Sequence, residues 1–325
     1  MNRIFFILAS MLTISCGSSN NPASTKAPEG NNITISFSAD SAYSYIERQV
    51  AFGPRVPGTE SHTKCLDYLV ATLNSFGAQV SVQEGEGIDF YGKKMPVRNI
   101  IAHVGPEKAK RVLLCSHWDC RPFADNDADR SRINEPIDGA NDGASGVGII
   151  LEIARQLQQK EATVGVDILF FDVEDYGKPD HIDVEYRPDT WCLGSQYWGR
   201  SDEGQQCRAR FGILLDMVGA PGAQFLRENF SVAYAANIVD KVWKAAETTG
   251  HGDRFLFEDG GYITDDHYYI NQLTDVPCID IIHLENGGTS FGAYWHTHDD
   301  TMKNIDRQTL SAVGETLLQV IYNER

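Results

Sequence analysis

Two hydrophobic patterns alternate along the chain. One is the unbroken apolar run; the other places apolar residues every three or four positions. Tyr43, Ile46 and Val50 predict an amphipathic helix over residues 39–52. GPRVPG is a loop, and Thr59 or Ser61 stands where a cap of the next helix would. That helix carries Leu66, Leu69, Val70, Leu73 and Phe76 on one face and stops at Gly77. QVSVQ, VRNIIAHV and RVLLCS read as strands. A long polar loop (118–142) leads into a helix over 147–157. GVDILFFDV is a buried strand, followed by a polar loop (176–189) and a short helix at LGSQYWGR. RFGILLDMV is a further buried strand, 237–249 a helix, VPCIDIIHL a strand and 306–322 a closing helix.

Strands alternating with helices predict an α/β fold. The expected architecture is a single-domain three-layer sandwich, with a mixed, mostly parallel central sheet and helices on both faces. Apolar runs without alternation fit strands buried on both sides. No internal repeat or linker interrupts residues 37–325, and 325 residues suffice for one sizeable core.

Net charge is −17, from 45 acidic and 28 basic residues, which argues against nucleic acid as a partner. Arg3 followed by IFFILASMLTI reads as an export signal too short to span a bilayer. Ser15-Cys16-Gly17 resembles a bacterial lipoprotein processing site; an ordinary cleaved signal peptide is the alternative. The expected division is a signal peptide at 1–15, a flexible tether at 16–36 and a catalytic domain at 37–325. A lipid on Cys16 would be the chain's attachment to a membrane. The expected location is the periplasm or the outer membrane, and the expected state is monomeric. Seven cysteines contain no CxxC pair, so a cysteine-type structural zinc site is not expected. Disulfides and buried free thiols both remain open.

The chemistry sits at the ends of the apolar runs. His117 follows RVLLCS, Asp142 precedes GASGVGIILEIA, Asp175 follows ILFFDVE, Asp216 follows FGILL, and His296 follows AYW. In an open α/β sheet the ligand crevice lies outside the carboxyl ends of the strands, so these five residues are expected to converge. Imidazole and carboxylate are zinc ligands. Asp119, two residues after His117, is placed to hold its imidazole. Asp142 taken alone would equally cap the following helix. Glu174 beside Asp175 gives two adjacent carboxylates, which repel unless a cation or protons intervene. Asp216 would be costly to bury unpaired. There is no GxSxG elbow, and Ser145 reads as a small residue at a helix start. His62, His181, His251, His283 and His298 have no evident partner and read as surface or supporting residues. Trp118, Trp198 and Trp243 read as packing.

HWD, GANDGASG, FFDVED, LLDMVG and WHTHDD, in that order, resemble the zinc aminopeptidase superfamily. LLDMVGAPGAQF (214–225), TDDHYYINQLTDVP (264–277), Trp295 directly before His296, and PRVPGTESH (54–62) narrow the resemblance. They are similar to zinc-dependent glutaminyl cyclases (glutaminyl-peptide cyclotransferases) of the animal and bacterial type. The resemblance implies one Zn²⁺ per chain on Asp142, Asp175 and His296. It makes Glu174 the general acid–base, Asp266 the partner of the leaving amide nitrogen, and Asp216 its support. Trp295 would line the substrate pocket, with Trp191 as a second wall. The implied substrates are peptides or proteins with N-terminal glutamine. Two departures stand out: Asp175 is one methylene shorter than the usual glutamate, and an insertion (177–189) follows it. The rival reading is a two-zinc aminopeptidase in which His117 and Asp216 complete a second metal site. A non-enzymatic metal- or peptide-binding lipoprotein is the third.

Overall fold

The computed structural model describes residues 36–285, 287–288 and 290–325. The predicted signal peptide, Cys16 and all of the tether but its last residue lie outside them. Two helices, α1 (Ala39–Val50) and α2 (Glu60–Ser75), lead into the strands β1 (Gln79–Ile88), β2 (Lys94–Val104) and β3 (Arg111–His117). Next come α3 (Ala144–Gln159), β4 (Gly165–Phe171), α4 (Leu193–Arg200), α5 (Asp202–Gln206) and β5 (Gly212–Asp216). The chain continues through β6 (Phe225–Arg227), α6 (Asn229–Thr249), β7 (Phe255–Asp259), α7 (Asp266–Leu273) and β8 (Cys278–Ile282). It ends with a 3₁₀ turn (Met302–Asn304) and α8 (Arg307–Asn323).

The central sheet has the order β1-β2-β4-β3-β5-β8. β1 and β2 form an antiparallel ribbon that joins β4 antiparallel; β4, β3, β5 and β8 are parallel to one another. Register explains the apolar runs. Ala102, Ile168, Leu114, Ile213 and Ile279 are paired across five strands and form one buried row. α1, α2, α3, α6 and α8 pack on that face, with Ile46, Leu69, Ile150, Trp243 and Leu317 fully buried. Leu113, Cys115, Leu169, Leu214 and Cys278 point to the opposite face, under Trp198 of α4 and Ile270 of α7. Every residue of β4 and β5 is therefore buried, Asp167 and Asp216 included. The predicted mixed, mostly parallel sheet with helices on both faces is what forms.

Close helix approach is what the α3 glycines supply. A Cβ on Gly146 would lie 2.4 Å from the carbonyl oxygen of Leu215, and one on Gly148 2.5 Å from Ile46. Side chains cap the helix entries: Thr59, one of the two candidates, accepts from the His62 amide, and Asp306 from those of Gln308 and Thr309. α6 begins at Asn229, eight residues before the apolar pattern indicates. Glu228 caps it, and the helix runs on across a non-helical Ala235. β6, β7, α5 and α7 carry no clear periodicity and were not expected. All six described cysteines are free thiols, five of them buried. Among the described residues no helix is long and apolar enough to cross a membrane.

The packing tryptophans Trp118, Trp198 and Trp243 are buried, as expected. His62 is a correction: it is buried under Trp118, ring centroids 4.1 Å apart, and its Nε2 lies 2.7 Å from Asp172 Oδ1. Asp172 also accepts from the amides of Arg98 at 2.8 Å and Val173 at 2.9 Å, which fixes the end of β4. His251, His283, His181 and His298 likewise have partners, in Glu315, Tyr294, Asn134 and Asp127. Asp172→Ala should cost about 3 kcal/mol, because it strands buried donors and an imidazole. Urea denaturation measures this, and a loss below about 1 kcal/mol would contradict the role given to Asp172.

Candidate active site

The carboxyl ends of β3, β4, β5 and β8 open on one side of the sheet. β3 ends on His117 and β5 on Asp216, while Asp172–Asp175 follow β4 directly. Asp142 precedes α3. The segment after β8 returns Trp295 and His296 to the same crevice, a cavity of about 200 Å³. Its walls include Asp142, Glu174, Asp175, Asp216, Asp265 and His296, with Trp191, Phe291 and Trp295 at the aromatic side.

One atom from each of Asp142, Asp175 and His296 lies within 4.8 Å of the others, and all three residues are buried. His296 Nε2 is 3.1 Å from Asp175 Oδ1 and 3.7 Å from Asp142 Oδ2. Asp142 Oδ2 and Asp175 Oδ2 have no hydrogen-bond partner among the described residues. Two orphaned buried carboxylate oxygens around an imidazole nitrogen are a donor set that fits zinc. A second trio, His117, Asp142 and Asp216, satisfies the same distance condition. There His117 Nε2 is 3.0 Å from Asp142 Oδ1 and 3.3 Å from Asp216 Oδ1. All five residues expected to converge do so.

Strained backbone aims several of these groups. Val173 (φ 55°), Cys192 (φ 55°), Met217 (φ 49°) and His296 (φ 54°) are left-handed without being glycine. Each such position costs about 1–3 kcal/mol and persists only where surrounding bonds over-determine it. Here the Leu193 amide donates to Val173 O at 3.0 Å, and the Cys192 amide to Glu174 O at 2.9 Å.

Supporting residues hold the acids. Asp119 Oδ1 lies 3.5 Å from His117 Nδ1, an ion-pair distance without a hydrogen bond, and the carboxylate accepts the amides of Glu174 (3.1 Å) and Asp175 (3.3 Å). Asp300 accepts the amides of Asn141 (2.7 Å) and Asp142 (3.0 Å). Asp142 is therefore held from outside the helix rather than capping it; the N-cap of α3 is Gly143, without a side-chain bond. Arg121 grips Asp125 through two 2.7 Å bonds, and Asp125 Oδ1 is 3.2 Å from His296 Nδ1. The Arg121 guanidinium reaches within 3.5 Å of Asp175 and lies 4.6 Å from the Trp191 ring. Trp295 stacks on His296 at 3.9 Å, and Trp191 lies parallel to the same imidazole at 6.1 Å.

Sequence reasoning missed Arg121, Asp125 and Asp300, whose partners are remote in the chain or unmarked by any motif. At the start of α7 it named Asp266 and passed over Asp265. Asp265, the N-cap, faces the cavity, whereas Asp266 is fully buried as the first helical residue and is absent from the cavity wall.

Burial and like charge shape the titrations. Burial, then Asp265 and Asp175, push the Glu174 carboxyl well up despite the opposing pull of His117. Burial raises Asp265, and pushes Asp216 up to about 7. Burial would depress the His117 imidazole, but its contacts with Asp119, Asp142 and Asp216 outweigh it and raise the pKa well above normal.

The model of peptidase family M28 matches residues 99–321, a span that contains every one of these side chains. The chain belongs to peptidase family M28. Among solved structures, a Tannerella forsythia glutaminyl cyclase is 56% identical, covering 90% of this chain and 100% of its own with a TM-score of 0.87. A Zn-dependent exopeptidase from Parabacteroides distasonis is 51% identical over 89% of this chain and 99% of its own, also with a TM-score of 0.87. The glutaminyl-peptide cyclotransferase of Drosophila melanogaster is 24% identical over 279 residues, 79% of this chain and 73% of that protein. The resemblance carried by the motifs is thereby borne out, in fold and in family.

Asp300→Ala should free the amide that positions Asp142 and weaken metal binding about 10–100-fold. Competition against a chelator of known affinity measures this; an unchanged affinity would contradict the role of Asp300.

Proposed function

We propose that this M28 protein is a glutaminyl-peptide cyclotransferase, converting N-terminal glutamine of peptides or proteins to pyroglutamate with release of ammonia. The observation that carries the reading is the carboxyl pair Glu174 and Asp265 facing a small, aromatic-walled cavity beside the Asp142–Asp175–His296 trio. Likeness to a glutaminyl cyclase at 56% identity supports it.

The three ligands would hold one Zn²⁺, which supplies Lewis-acid polarisation of the γ-carbonyl oxygen. The chain's own residues do the rest. Trp191, Phe291 and Trp295 wall in the glutamine side chain, so that its γ-carbon and its own α-amine meet with little remaining freedom. Glu174 takes a proton from the attacking amine and returns it to the side-chain nitrogen. The new C–N bond closes the lactam, the old one breaks, ammonia leaves and no water is consumed. Asp265, in the place first given to Asp266, receives the leaving nitrogen, with Asp216 beside it. A raised Glu174 pKa suits a group that both accepts and returns a proton.

His117 supports a single ion. It is flanked by Asp119, Asp142 and Asp216, whose contacts favour its protonated form, and so it stands where a second metal would otherwise bring positive charge. A two-metal aminopeptidase is the second reading, favoured by the intact His117–Asp142–Asp216 trio and by the exopeptidase at 51% identity. We further propose export, with Cys16 as a lipid anchor and a monomeric catalytic domain.

Incubation with a glutamine-leading peptide, with and without a chelator, separates the readings by mass. Loss of ammonia that stops on chelation is expected; release of a free amino acid would favour the peptidase. Glu174→Gln should lower kcat about 10²–10⁴-fold while zinc content is kept, and full activity in that variant would remove Glu174 from proton transfer.

A further inference from the structure

A thiol lies directly behind Glu174. Cys192 Sγ is 3.1 Å from Glu174 Oε1 and donates to it, from a fully buried, left-handed position just before α4. The two backbone bonds that tie 192–193 to 173–174 fix this contact. Asp265 completes the group: one ligand atom each from Glu174, Cys192 and Asp265 lies within 4.8 Å of the others. Asp265 is 3% exposed, and its Oδ2 has no hydrogen-bond partner among the described residues. Glu174 and Asp265 line the cavity, so an ion that enters the cavity meets them.

One thiolate with two carboxylates is a donor set for a borderline or soft divalent cation. It shares no residue with the Asp142–Asp175–His296 trio or with the His117 trio. We infer that Glu174, Cys192 and Asp265 form a separate cation site that takes a thiophilic divalent ion, cadmium or excess zinc, and thereby withdraws Glu174 from proton transfer. The ion replaces the hydrogen of the S–H···O contact: the S–H bond breaks, the proton leaves to solvent and the metal–sulfur bond forms, without redox change. For zinc, bonds of about 2.3 Å to sulfur and about 2.1 Å to oxygen at a tetrahedral angle separate the two donors by about 3.6 Å. Glu174 therefore has to retreat only about half an ångström from its present contact. Inhibition rests on the role proposed for Glu174; ion binding does not.

The test titrates the zinc-loaded protein with cadmium chloride. It follows the ultraviolet thiolate-to-cadmium charge-transfer band, bound cadmium and zinc per chain, and turnover of a glutamine-leading peptide. The expected result is one cadmium with the band, zinc retained, and a rate that falls at the same midpoint. Cys192→Ser and Cys192→Ala, each compared with its own cadmium-free rate, should lose the band and raise the inhibition midpoint about tenfold or more. An undiminished band or an unshifted midpoint in both folded variants overturns the site, as does displacement of zinc with no thiolate band. If the wild-type protein gives a band that Cys192→Ser abolishes but shows no cyclisation even without cadmium, the site stands and the cyclase reading falls.

Discussion

Burying negative charge is the constraint on which this structure turns. Asp119, Asp142, Asp172, Asp175, Asp216, Asp265 and Asp300 are all buried around one crevice. An ion taken out of water costs several kcal/mol unless it is paired or hydrogen-bonded. The fold answers for several of them with backbone amides. Asp172 is met by two amides and His62, Asp119 by the amides of Glu174 and Asp175, and Asp300 by those of Asn141 and Asp142. Asp125, at the rim, is met by Arg121. Asp142 Oδ2 and Asp175 Oδ2 are left without such donors beside His296. Buried carboxylate oxygens left open beside an imidazole, among acids that are otherwise held by amides, fit a cation.

The sheet makes that concentration of charge feasible. Four parallel strands deliver four carboxyl ends to one side, whereas the antiparallel β1–β2 ribbon contributes none of the cavity-lining acids. Rows of Ile, Leu and Ala beneath the crevice, together with glycine contacts between α1, α3 and β5, anchor it. This packing lets Val173, Cys192, Met217 and His296 stay left-handed around the crevice, and it converts burial energy into aim. Catalysis by positioning needs that rigidity, since the proposed reaction joins two atoms of the same residue.

Much of this was legible in the sequence, for a physical reason. A continuously apolar run fits a strand buried on both sides, so polar residues at or just after its carboxyl end fall beside the crevice. His117, Asp175 and Asp216 are readable on that ground, and LGSQYWGR coincides with α4 residue for residue. The unread part depends on distant partners or single-residue rotation. His62 finds Asp172 110 residues away, and Asp300 reaches the Asp142 amide 158 residues away. At the start of α7 one residue decides the direction. Asp265 is extended (φ −144°) and faces the cavity; Asp266 has turned into the helix and away from it. No local pattern distinguishes those two neighbours.

The position of the cation decides the chemistry. Anomalous diffraction at the zinc absorption edge, from crystals grown with stoichiometric zinc, locates it directly. The predicted map has one strong peak per chain, within bonding distance of Asp142, Asp175 and His296. Two peaks of equal height, the second between His117 and Asp216, or no peak at all among these side chains, would contradict it.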